Sequence, residues 1–228
     1  MSTEPMRVAL SWSGGKDAAW TLHRLRATPG VEVAALVTTV VPAFERVAMH
    51  GVRVELLRAQ ARAAGVPLVE VPLSWPSTNE EYEARMGEAL AALRAERGVT
   101  HVAFGDLFLT DVREYRERML AGSGLTPLFP LWMEPTGALV NEMMAAGVEA
   151  TIVCLDPTRV SRELAGRRID AALLAGLPGH VDPCGEQGEF HTFVGAGPML
   201  REPVRVAPGA IVERDGFVYA DLIFTESS

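Results

Sequence analysis

Along the first half of the chain the spacing of apolar residues switches repeatedly between two periods. Arg7–Ser11 is a short apolar run of strand character, and Asp17–Ala27 follows with helical character. Val31–Val41 is rich in β-branched residues. Val52–Gly65 then places Leu56, Leu57, Gln60, Ala61 and Ala64 at helical spacing and stops at a glycine. Val66–Leu73 predicts a third strand. Ser77–Gly98 predicts a helix that Thr78 and Glu81 open as a capping box. Thr100–Gly105 predicts a fourth strand. Alternation of this kind, with nearly continuous apolar strands, predicts βαβ units: an α/β fold whose parallel sheet carries helices on both faces. Ligands of such sheets bind outside the carboxyl ends of the strands. Ser13–Asp17 and Gly105-Asp106 both fall at such ends.

The second half has a different pattern. Thr110–Gly124 predicts a helix, and Leu125–Pro135 is punctuated by prolines. A short helix from about Gly137 to Ala146 and a strand over Glu149–Asp156 come next. Gly209–Phe224 predicts a hairpin turning at Asp215-Gly216. The expected organisation is therefore a domain over residues 1–123 and a smaller α+β domain over 124–228.

Composition narrows the class. Apolar residues make up 48% and charged residues 22%, so a packed core is expected. The net charge of −8 and the lack of any long basic run give no clear nucleic-acid surface. No apolar run approaches the roughly 20 residues of a membrane helix, and the N-terminus has no signal-peptide pattern. Cys154 and Cys184 stand far apart with no zinc spacing. These features predict a cytoplasmic protein without membrane association.

The unusual chemistry is SGGKDA, Ser13–Ala18, where the first strand meets the first helix. The first amides of a helix have no internal acceptors and carry partial positive charge. Two glycines let that backbone approach an anion, and Lys16 adds a full charge. A Walker A loop is excluded, because Asp17 follows the lysine and the first glycine is missing. An ordinary glycine-rich turn remains the alternative on these residues alone.

SGGKDA resembles the PP-loop of the ATP pyrophosphatases, whose usual form is SGGxDS; Ala18 replaces the hydroxyl residue. Near the other end, Asp182–Leu200 (DPCGEQGEFHTFVGAGPML) resembles the signature of the diphthine–ammonia ligase family. Met49–Leu68, Asn79–Glu83, Phe104–Glu117, Phe129–Trp132 and Gly166–Asp170 match that family in order, so the resemblance spans nearly the whole chain. It implies a Rossmann-like fold of the adenine nucleotide alpha hydrolase kind. It implies an ATP-dependent ligase that adenylylates a carboxylate, releases pyrophosphate and transfers ammonia. ATP and Mg²⁺ would be required. The acceptor would be diphthine on elongation factor 2 in an archaeal or eukaryotic source, and another carboxylate in a bacterium.

Under that resemblance Ser11, Ser13, Gly14, Gly15, Lys16, Asp17 and Ala18 hold the phosphates, with Asp17 also on the metal. Val37, Thr38 and Thr39 take the adenine, Gly105 and Asp106 border the ribose or α-phosphate, and His50 reaches the phosphates. Lys16, Asp17, Glu186, Glu189 and His191 are the catalytic candidates; Arg116, Glu186, Glu189, His191 and Thr192 are the acceptor-binding ones. Each has a blander reading. Glu186, Glu189 and His191 could form a hydrogen-bonded corner, whereas strand alternation from Glu189 would send Glu189 and His191 to one face as a pair able to orient ammonia, take its proton or hold the acceptor. His50 could be a solvent-exposed loop residue, and Arg113 and Arg116 an ion-paired helix face. Cys184 has acidic neighbours and reads as structural rather than nucleophilic. Two other functions compete: a PP-loop tRNA-modifying enzyme, which the absence of a CxxC pair disfavours, and a non-catalytic adenine-nucleotide sensor, which Ala18 keeps open.

Overall fold

The computed structural model describes residues 4–47 and 51–225. Strands β1 (Met6–Ser11), β2 (Val31–Val41), β4 (Leu68–Pro72), β5 (His101–Ala103) and β6 (Thr126–Leu128) form a parallel sheet. Its order across the sheet is β4-β2-β1-β5-β6, and the two-residue β3 (Arg46–Val47) pairs antiparallel with the far end of β2. The chain runs outwards from β1 through β2 to β4, then returns to the other side of β1 for β5 and β6. The switch point, where ligands of such sheets sit, lies between β1 and β5.

The pleat sorts side chains to two faces. Val8, Leu10 and Leu36 join one buried cluster, with Leu22 and Leu25 of α1 (Lys16–Ala27) and Leu56 and Leu57 of α2 (Val54–Ala64). Ala9, Ala35 and Val37 join the other, with Met86, Leu90 and Leu93 of α3 (Asn79–Arg97) and Leu120 of α4 (Thr110–Leu120). Both faces are thus covered, as the unbroken apolar strands require.

The remaining elements are α5 (Thr136–Ala145), β7 (Glu149–Leu155), α6 (Ala171–Ala175), β8 (Phe190–Ala196), β9 (Val206–Arg214) and β10 (Phe217–Phe224). Their four strands make a separate antiparallel sheet in the order β8-β7-β10-β9. The β9–β10 hairpin turns at Asp215, in the left-handed region, followed by Gly216. This sheet lies against the outer side of α1 and α2: Ile152 and Phe193 belong to the same buried cluster as Leu22 and Leu57.

Three local expectations change. Thr78 caps α3 by accepting from the Glu81 amide, but the Glu81 carboxylate turns back to the Ser74 amide instead of the Thr78 backbone, so the box is half formed. The proline-punctuated stretch contains β6, with Pro127 in the sheet; β6 is an edge strand, where a missing donor is tolerated. Strand β8 begins at Phe190, one residue after the expected start of alternation at Glu189.

Candidate functional site

Helix α1 starts at the mouth of β1, and Gly15 is its N-cap, without a side-chain hydrogen bond. Gly14 turns the chain with φ +78°; a Cβ there would lie 2.7 Å from Gln60 Oε1. Gln60, 0% exposed on α2, explains the shape of the turn. Its Oε1 accepts from Trp12 Nε1 at 3.1 Å, and its Nε2 donates to the carbonyls of Gly14 (3.0 Å) and Val194 (2.7 Å). The Val194 amide also donates to Gly14 O at 2.9 Å. The glycine turn is therefore held between α2 and β8. Helical spacing places Gln60 on the apolar face of α2, and a lone amide among those positions is the one signal of its role.

The amides at the helix start already have partners. Gly15 N donates to Ser13 Oγ at 3.3 Å, and Lys16 N donates to Thr192 Oγ1 at 3.0 Å. Gly105, at the exit of β5, packs on the same backbone, 3.0–3.2 Å from Asp17 and Ala18 main-chain atoms when a Cβ is built on it. Lys16, 2% exposed, donates through Nζ to both Asp17 carboxylate oxygens (3.0 and 2.8 Å) and to the Cys184 carbonyl. Burial alone would lower its pKa, but Asp17, with smaller effects of Cys184 and Glu186, outweighs this and holds it above the usual lysine value. Burial raises Asp17, against the pull of Lys16.

The CGEQGE loop closes over this turn. Glu186 Oε1 accepts from the Leu107 amide at 2.7 Å, and the Glu186 amide donates to Asp182 Oδ2 at 2.9 Å. Burial, with the nearby charges of Asp17 and Asp106, pushes Glu186 to about 7, despite the opposing effects of the Leu107 amide and Lys16. Glu189, 2% exposed, spends both oxygens inside the loop, accepting from the amides of Asp182 (3.0 Å) and Gln187 (2.9 Å). Its carboxylate thus helps to fold the loop. His191 is half-buried on β8, opposite Cys154. Cys184 is buried, and burial lifts its thiol to about 12, which fits a structural residue.

Beside the turn lies a cavity of about 700 Å³. Ser11, Ser13, Val37, Thr38, Thr39 and Arg116 all line it. Thr38 is 3% exposed, and its Oγ1 makes no hydrogen bond. Arg116 donates to Tyr82 Oη at 3.0 Å and lies 3.5 Å from Asp106 Oδ2, an oxygen that accepts no hydrogen bond. Arg113 keeps the expected helix-face ion pair, with Glu117 at 2.8 Å, and also stacks over Phe129 and Trp132, each ring 4.8 Å away. Gly14, Gly15, Lys16, Asp17, Ala18, Gly105 and Asp106 lie behind the cavity wall, at the switch point. His50 falls outside the described residues.

Among the described residues no group of three or more His, Cys, Asp or Glu side chains could hold a metal ion by itself. Asp17, Asp106 and Glu186 are oxygen donors, each raised in pKa chiefly by burial, with Asp182 adding to the shift of Asp17 and Asp17 adding to those of Asp106 and Glu186; such donors suit a hard cation that arrives with substrate oxygens. No helix among these residues is long and apolar enough to cross a membrane.

Comparison with known proteins covers both halves. The family model of the diphthamide synthase N-terminal domain matches residues 6–127, and that of the diphthamide synthase C-terminal domain matches 135–219. The chain is 25% identical to a diphthine–ammonia ligase of Rattus norvegicus over 250 residues, 98% of this chain and 91% of that protein. It is 26% identical to that of Danio rerio over 227 residues, 87% of this chain and 86% of the relative. A match to the Schizosaccharomyces pombe diphthine–ammonia ligase, 26% over 116 residues, spans only 19% of that longer protein.

Proposed function

This chain belongs to the diphthamide synthase family, and we propose that it is an ATP-dependent amide ligase forming AMP and pyrophosphate. The observation that carries this reading is the 700 Å³ cavity over the carboxyl ends of β1 and β2: it is lined by Ser11, by Thr38 with its unpartnered hydroxyl, and by Ser13, the first residue of the SGGKD turn. Adenine and ribose occupy the cavity against Val37–Thr39, and the triphosphate runs towards Ser13 and the start of α1. The hydroxyls of Ser13 and Thr192 sit on the amides of Gly15 and Lys16. They stand where phosphate oxygens would accept, so nucleotide binding exchanges them. Lys16 then trades the Cys184 carbonyl for phosphate, which couples the nucleotide to the CGEQGE loop. Mg²⁺, held by Asp17 and the phosphates, would neutralise the leaving pyrophosphate.

Chemistry proceeds in two displacements. An acceptor carboxylate oxygen attacks the α-phosphorus, the bond to the α–β bridging oxygen breaks, and pyrophosphate leaves. Ammonia then attacks the acyl carbon, AMP departs, and one proton is lost from nitrogen. Glu186, poised to about 7, takes that proton. Arg116 holds an anionic group of the acceptor or nucleotide in the cavity. Glu189 acts as a positioning residue through the loop it folds. Thr192 meets the start of α1 from β8, and His191, next to it on the strand, is the acceptor-side candidate. Residues 1–123 carry the nucleotide and 124–228 the acceptor-side loop.

A second reading, a nucleotide sensor, is favoured by one observation: protein hydroxyls already satisfy the cradle amides. AMP and pyrophosphate formation from ATP, ammonium and a panel of carboxylates separates the two. Stoichiometric release with at least one acid supports the ligase. Tight ATP binding with no release from any acid supports the sensor.

A further inference from the structure

One wall of the nucleotide cavity carries hydrogen-bond donors with nothing to donate to. Arg116 of α4 and Tyr82, near the start of α3, line it there, while Ser11 and Ser13 line it from the end of β1. Arg116 Nη1 donates to Tyr82 Oη at 3.0 Å. Its guanidinium lies over the Phe104 ring, 5.0 Å from the centroid, and Nε is shut off from solvent 3.5 Å from Asp106 Oδ2. A guanidinium carries five N–H donors. Among the described residues Tyr82 is the one hydrogen-bond acceptor that Arg116 meets, so Nη2 keeps both of its hydrogens. Tyr82 Oη accepts in that bond, and among the described residues its own O–H meets no acceptor either. A cation whose side chain is only 21% exposed, with two neighbouring donor groups unspent, is costly until an anion completes it.

We propose that Tyr82 and Arg116 clamp the carboxylate of the acceptor, Arg116 Nη2 donating to one oxygen and the Tyr82 hydroxyl to the other. The inference rests on the ligase reading, which requires a carboxylate in this cavity. It adds Tyr82 as a binding residue and Asp106 as a positioning residue. Three features favour a carboxylate over the phosphates at this wall. In the ligase reading Lys16 and the first amides of α1 already serve the triphosphate tail. Asp106, 3.5 Å from Nε, offsets part of the charge, which suits a singly charged anion better than a polyanion. Two donors side by side also match the two oxygens of a planar carboxylate. With Nε against Asp106 and Nη1 on Tyr82, Nη2 is the corner of the guanidinium left to the substrate. The clamp answers a like-charge problem as well. The nucleophile must approach a triphosphate, and a partly desolvated cation on the acceptor side lowers that repulsion.

The test uses the full chain, with acetate as the smallest carboxylate probe and α,β-methylene-ATP as a nucleotide that cannot be cleaved at the α–β bridge. Saturation transfer from protein to the acetate methyl protons, with the nucleotide bound, reads the clamp without turnover. Tyr82→Phe keeps the ring and removes only the hydroxyl; it should weaken acetate binding at least fivefold, and Arg116→Gln at least tenfold. Tyr115→Phe, on the same cavity, is the control and should leave it within twofold. Equilibrium dialysis should find the affinity for α,β-methylene-ATP within twofold of the parent in all three. Any acid that releases pyrophosphate in the ligase assay should show its KM raised fivefold or more by Tyr82→Phe, with the KM for ATP within twofold. Acetate binding lost in both clamp variants supports the clamp even if no acid releases pyrophosphate, an outcome that sinks the ligase reading alone. The proposal is overturned by acetate binding that is absent from the parent or indifferent to either substitution. An equal loss in Tyr115→Phe, or a nucleotide affinity that falls together with that for acetate, overturns it too.

Discussion

At the scale of single residues, two buried polar side chains decide how the glycine turn is held. Gln60→Leu removes the acceptor of Trp12 Nε1 and the Nε2 donor of Val194 O, while Gly14 O keeps the Val194 amide. Two buried groups lose partners at about 1–3 kcal/mol each, so urea unfolding should show a loss of about 2–6 kcal/mol, together with a raised KM for ATP. Glu186 works in the opposite sense. Its pKa in the fold, about 7, lies above its ordinary 4.5, so the folded chain holds the extra proton between those values. The stability this gives is complete below about pH 4.5 and is lost as pH rises through 7. Glu186→Gln should therefore be more stable than the parent at pH 8, by up to about 3 kcal/mol. The gap should close below pH 5 in the same unfolding titration, while pyrophosphate release falls. The sequence made Glu186 visible because it stands in a dense motif. It could not show that Glu189, three residues on, accepts from two loop amides, since that depends on where the loop turns.

At the scale of elements, βαβ order was legible because a sheet covered on both faces needs unbroken apolar strands, and β1, β2, β4 and β5 have them. What stayed hidden was short or at an edge. The two residues of β3 are too few for any period, and Pro127 masks β6. The close packing of β5 against α1 was also invisible, although Gly105 carries it. Gly105→Ala would place a Cβ about 3 Å from the Asp17–Ala18 backbone, which cannot rotate away as a side chain can. Overpacking of this kind costs about 1–3 kcal/mol, and the displaced helix start should also shrink the thermal shift given by ATP. Gly87, exposed within α3 with open space around it, is the matched control. Gly87→Ala should stabilise by about 0.5–1 kcal/mol and leave the ATP shift unchanged.

At the scale of the whole molecule, the two family models meet the chain as separate stretches, yet one buried cluster runs from Val8 and Leu22 through Ile152 and Phe193. The β8 bond from Val194 N to Gly14 O and the Asp221 carboxylate of β10, held by Arg46 at 2.8 Å and Arg53 at 2.7 Å, fasten the halves at the edges of the site. Chain order alone could suggest two domains but not this shared interior, because nothing in the spacing of β7 to β10 says which surface they cover. The consequence is cooperative unfolding, and the tryptophans make it measurable. All four, Trp12, Trp20, Trp75 and Trp132, precede β7, so their fluorescence reports the first half. Burial would raise Asp221, but hydrogen bonds from Arg53 and Arg46 overcome it and hold the group at about 2, below its ordinary 3.8. Its stabilising contribution, about 2 kcal/mol, is present above pH 4 and lost as pH falls through 2. Asp221→Asn, a change in the second sheet, should lower the urea midpoint of tryptophan fluorescence at pH 7, and that of far-UV circular dichroism equally. An unmoved fluorescence transition, with a separate dichroism transition shifted by the substitution, would mean that the halves melt independently and that the shared cluster does not couple them.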